Sequence, residues 1–153
     1  MINRMPVLVG MSLVALVAAG LIAGPAAADQ SPDQASASKV ELGKQDFEAY
    51  CASCHGSEGR GDGVGGEIVA MGTADLTQLA KRNGGTFPSV RVEHVIDGRE
   101  QLKSHDFRFM PSWGDWFSDE AAQPGLDREA REVAVRGRIA ALVAYLASLQ
   151  QQE

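Results

Sequence analysis

Residues 51–55 read Cys51-Ala52-Ser53-Cys54-His55, and these two cysteines are the only ones among 153 residues. Spaced three apart, the thiols share one side of a helical turn, and an imidazole follows directly. That arrangement narrows what the chain can become. A thioredoxin-like pair needs a βαβ setting, which the flanking sequence lacks. A zinc site needs a second pair of ligands, and no other cysteine exists. A structural disulfide would leave His55 and the glycines beyond it without a reason.

The amino-terminal residues form a separate unit. Residues 1–28 carry Arg4 as their only charge, an apolar run from Val7 to Gly24, a breaking Pro25 and the small residues Ala26-Ala27-Ala28. This is the pattern of an export signal cleaved before Asp29. The alternative is a retained anchor, since 18 apolar residues just suffice to span a bilayer. The small-residue site favours cleavage and a periplasmic location; retention would hold the protein on the periplasmic face of the inner membrane. Removing the segment takes away one base and no acid, moving the net charge from −6 to −7. An acidic chain of this kind is not a general nucleic-acid binder. Residues 29–38 (DQSPDQASAS) are polar and aperiodic, and are expected to form a flexible lead-in to a domain over 39–150.

Within that domain the pattern is helical. Ser38 and Glu41 form a capping box, followed by Val40, Gly43, Phe47 and Tyr50 at helical spacings. A short helix is expected from Leu76 to Arg82, stopped by Asn83-Gly84-Gly85, and another from Ser89 to Asp97-Gly98. The last is capped by Asp127, with Val135, Ile139, Leu142, Leu146 and Leu149 stepping by four, three, four and three. No segment alternates with period two, and no repeat is visible. The chain reads as all-α, with four to five helices joined by long loops. One of these, residues 56–66, holds six glycines. Such loops count against a compact domain unless something other than side chains fills its centre.

The C-x-x-C-H order supplies that centre, because it is the attachment sequence of a c-type haem. Cys51 and Cys54 can each form a thioether with one side of the porphyrin, and His55 then presents its ring to the iron. One covalently bound haem thus becomes the core around which the helices pack.

On these residues the chain resembles a class I c-type cytochrome, over roughly residues 39–150. The resemblance rests on Gly43 and Phe47, C-A-S-C-H-G, G-D-G at 61–63, M-P-S-W-G at 110–114 and a final helix bearing Tyr145. It implies the small cytochrome c fold, with the first and last helices crossing closely at Gly43 beside Phe47 and Tyr145. More loosely, residues 74–116 are similar to small bacterial haem domains that serve respiratory oxidases and dehydrogenases. Class I domains usually have a proline soon after C-x-x-C-H whose carbonyl accepts the proximal imidazole's proton. Here Pro88 is the only proline between His55 and Met110, which leaves the partner of His55 open.

Candidates for the second axial position on iron are Met71, Met110, His94 and His105. Met110 is favoured: Pro111 extends the backbone at the methionine, and Phe107, Phe109, Trp113, Trp116 and Phe117 place five aromatics in the same stretch, expected as one water-excluding loop. His105, Met71 and an open position remain alternatives. His94 is expected to be exposed. Arg99 is a candidate partner for a haem propionate, and Trp113 either donates its indole hydrogen to a propionate or packs.

Iron held by His55 and Met110 leaves no coordination site for a substrate, which favours a one-electron carrier or a non-catalytic haem subunit over an enzyme. The alternative is a haem enzyme or gas sensor with a weak or open sixth position. Expected partners are a redox donor and acceptor, such as a membrane oxidase or dehydrogenase, met through small surfaces and charge steering. Membrane contact arises only if residues 1–28 are retained.

Overall fold

The computed structural model describes residues 31–68, 72–99, 110–122 and 124–151. Residues 1–28, Met71 and His105 lie outside them. Among the described residues there are six α-helices and no strand: α1 (Pro32–Tyr50), α2 (Ala52–His55), α3 (Leu79–Arg82), α4 (Ser89–Asp97), α5 (Trp113–Glu120) and α6 (Arg128–Ser148). Two 3-10 segments, Val64–Ile68 and Leu76–Gln78, complete the connections.

The all-α expectation holds, with two corrections. First, α1 starts before Ser38. Ser31 caps it by accepting from the Gln34 N–H at 3.4 Å, Pro32 occupies the first turn, and Ser38 instead donates its hydroxyl to the Gln34 carbonyl. Residues 32–38, expected as a flexible lead-in, are therefore helical. The start signal is Ser31-Pro32-Asp33, where a cap, a fixed φ and an acid on the helix dipole act together. Second, Ser112-Trp113 begins a helix over part of the stretch expected as an aromatic loop; Phe107 and Phe109 of that stretch lie outside the described residues. Trp113 and Phe117, four apart, turn inward, while Trp116 keeps 50% of its surface exposed. That spacing is an amphipathic helix in miniature.

The frame is the crossing of α1 and α6, the most extensive contact between elements. Gly43 is buried, and a Cβ there would overlap the Ala141 carbonyl, so only glycine permits this approach. Phe47 and Tyr145 pack beside it with ring centroids 5.2 Å apart. Asp127 caps α6 by accepting from the Ala130 N–H at 2.8 Å, and Val135, Ile139, Leu142 and Leu146 form its buried stripe. Helices α4 (through Val92 and Ile96) and α5 (through Trp113 and Phe117) close the same core. Burying each large apolar side chain contributes roughly 1.5–3 kcal/mol.

Candidate functional site

Cys51 follows the last residue of α1, and Cys54 and His55 lie in the single turn of α2. The turn closes through Cys54 N–H and His55 N–H, both donating to the Cys51 carbonyl at 3.1 and 2.9 Å. Both cysteines are free thiols and half-buried. Burial pushes the Cys51 thiol up to about 12, with Asp46 and Cys54 adding to the effect, so it stays protonated and apolar.

Beyond α2 the glycine-rich loop folds back over the motif. Gly56 and Gly61 take φ of 78° and 81°, which non-glycine residues rarely adopt. Gly61 N–H donates to the His55 carbonyl at 2.8 Å. Gly63 lies against the Ser53–Cys54 backbone, where a Cβ would sit 2.5 Å from the Ser53 carbonyl oxygen. The glycines thus let the loop lie on the motif without side chains in between.

Ala74 lies beside the imidazole. His55 Nδ1 lies 3.0 Å from the Ala74 carbonyl oxygen. A carbonyl only accepts, so Nδ1 carries the proton and Nε2 keeps its lone pair. Burial pulls the His55 pKa down, against the opposing pull of this hydrogen bond, which favours the neutral ring that ligates metals. Ala74 is itself fixed from downstream. Asp75 accepts from the Thr77 N–H at 2.9 Å and its hydroxyl at 2.7 Å, and Leu76 N–H donates to the Gly59 carbonyl at 2.7 Å. The question left by the missing proline is answered: an alanine carbonyl takes that role.

Met110 is half-buried against the core cluster, two residues before Ser112 at the start of α5. Cys51, Ala52, Leu76, Leu79 and Phe87 pack against the same cluster while keeping part of their surface open. These residues fit a haem: two free thiols on one turn, an imidazole oriented by its far nitrogen, a thioether, and half-buried apolar side chains that a porphyrin would cover.

Other expected residues fall elsewhere. His94 is exposed, at a cleft of about 140 Å³ between α4 and α6 lined also by Glu93, Asp97, Arg99, Glu132 and Arg136. Arg99, expected as a propionate partner, spends its guanidinium on protein carboxylates. Its two terminal nitrogens donate to Glu132 at 2.9 and 3.0 Å, and Nε donates to Asp97 at 2.6 Å. Three of its five N–H donors are thus committed to two protein carboxylates. Trp113 packs edge-on to Tyr50 at 5.6 Å and tilted against Phe117 at 5.8 Å.

A family model described as cytochrome c oxidase, cbb3-type, subunit III matches residues 38–124, more than half of the chain. No curated protein and no solved structure matches it.

Proposed function

Because the chain belongs to the c-type cytochrome family described as cytochrome c oxidase, cbb3-type, subunit III, we propose that it is a monohaem one-electron carrier, or the non-catalytic haem subunit of a redox complex, in a periplasmic respiratory or dehydrogenase-linked chain. Membership makes it an electron-transfer protein with covalently bound haem c, and Cys51 and Cys54 are the thiols available for attachment. When bound, haem c supplies an iron that changes by one electron.

The observation that carries the reading is the His55–Ala74 hydrogen bond at 3.0 Å, which occupies Nδ1 and leaves the Nε2 lone pair free to ligate a metal. In this reading His55 is the proximal ligand. Met110 would hold the iron with it, and a thioether opposite an imidazole would raise the potential, as the class I resemblance implies. The apolar side chains of Leu76, Leu79 and Phe87 limit water at the site. Held by His55 and Met110, the group would be closed to substrate and would serve outer-sphere electron transfer with redox proteins that dock weakly. A membrane oxidase or dehydrogenase fits that description.

In this reading residues 1–28 act as an export signal ahead of the domain, whose first helix begins at Pro32. No helix among the described residues is long and apolar enough to cross a membrane. The test is spectroscopic. The oxidised, haem-loaded protein should show a far-red methionine-to-iron band, and Met110→Ala should abolish it, lower the potential and admit carbon monoxide to the reduced protein. A wild-type protein that binds carbon monoxide tightly and lacks the band has an open sixth position, and the carrier reading fails.

A further inference from the structure

The segments on either side of Met110 in sequence, Asp97–Arg99 and Ser112–Asp115, are stitched together. Gly98 ends α4 at φ 66°, and a Cβ on it would lie 2.9 Å from the Ser112 Cα. The Ser112 hydroxyl sits 3.0 Å from the Asp97 carbonyl oxygen and 2.8 Å from Asp115 Oδ2. Gly114 is buried; a Cβ there would overlap the Asp97 carboxylate and come within 2.5 Å of Arg99 Nε. Arg99 fastens this stitch. Its Nε holds that Asp97 carboxylate over Gly114, and its two terminal nitrogens grip Glu132 on α6.

We infer that Arg99 is a positioning residue for the Met110 thioether, acting through the backbone anchor at Ser112–Gly114. The inference rests on Met110 being the axial ligand. A thioether is a weak ligand that competes with any other donor reaching the iron. Its advantage is effective concentration, which depends on how tightly its backbone is held. Arg99 ties the end of α4 to α6 and lies against Gly114 at the start of α5, four residues from Met110. Loosening that tie lets the sulfur spend more time off the metal, while the α1–α6 crossing, made at Gly43 and Phe47, stays in place.

The test uses haem-loaded oxidised protein titrated with imidazole, which competes for the sixth position, following loss of the far-red band. Thermal midpoint and helix content are measured on the same samples. In Arg99→Ala and Glu132→Gln the imidazole affinity should rise about fivefold, the scale of a partly exposed bidentate ion pair. Arg99→Lys, a point charge without the fork, should fall between these and wild type. Lys44→Ala removes the surface Lys44–Glu48 pair on α1 and should leave the affinity unchanged. If Arg99→Ala is too unstable to isolate, Glu132→Gln keeps the Asp97 contact and carries the test. Unchanged imidazole affinity in both variants, even with a lowered thermal midpoint, overturns the assignment alone. A wild-type protein with no far-red band overturns the Met110 reading and this assignment with it.

Discussion

The guanidinium carbon of Arg138 lies 3.8 Å from the centroid of the Phe117 ring, while its nitrogens grip Asp46 at 2.7 and 3.1 Å and Glu120 at 2.7 Å. One side chain on α6 thus ties α1 to α5 by charge and stacks on the core aromatic of α5. Tyr50, next to Cys51, joins by donating its hydroxyl to Glu120 at 3.1 Å.

Arg138→Ala should destabilise the haem-loaded protein by about 2 kcal/mol, since it strands the part-buried Asp46 and removes the stacked cation. Denaturant unfolding followed by circular dichroism gives the number. A change within experimental error would reduce the network to surface decoration.

Gly43→Ala should also destabilise, by about 1–3 kcal/mol, because the added methyl overlaps the Ala141 carbonyl and forces α1 from α6. Helix propensity alone would favour alanine by about 1 kcal/mol. The sign of the measured change therefore decides whether the close crossing exists.

Stability should fall on acidification through the Glu120 carboxyl. Its hydrogen bond from Arg138 holds its pKa below the ordinary glutamate value. A depressed folded pKa means the contribution is complete above the unfolded value of about 4.3 and is lost as pH drops through the folded one. The thermal midpoint should therefore hold steady from neutral pH to about 5 on this account, then decline. Asp75 and Glu132 are held low in the same way, by Thr77 and by Arg99, and add to the decline. Glu120→Gln should flatten part of it; an unchanged acid limb in that variant would exclude Glu120 as a contributor.

Each thiol should carry one thioether. Cys51→Ala or Cys54→Ala, expressed with a competent haem-attachment apparatus, should retain covalent haem with a shifted pyridine haemochrome spectrum. The double variant should lose all pigment from the unfolded polypeptide in acid. Pigment that stays bound to the double variant would point to attachment elsewhere.

Much of the frame was legible because helices announce themselves locally. The α6 cap and stripe, the α4 stop at Gly98 and the glycine of the α1 crossing all stand at the expected residues. Helix α5 was also legible in principle, since Trp113 and Phe117 lie four apart after Ser112. The density of aromatics drew the reading toward a loop wall instead. Arg99 shows the opposite case. Its charge and its place after Gly98 fit a propionate partner, and nothing nearby in sequence names Glu132, 33 residues away.

Residue order by itself determined the chemistry of attachment and the helical class, because thiol spacing on a turn and apolar spacing along a helix are properties of short stretches. The tertiary structure alone decided the partners: the Ala74 carbonyl behind His55, and the carboxylates that claim Arg99 and Arg138. Every residue carries a carbonyl and 20 of them carry an acid. Which one meets a given donor depends on the path of the chain, and that path is set by the glycine loop over α2 and the crossing at Gly43.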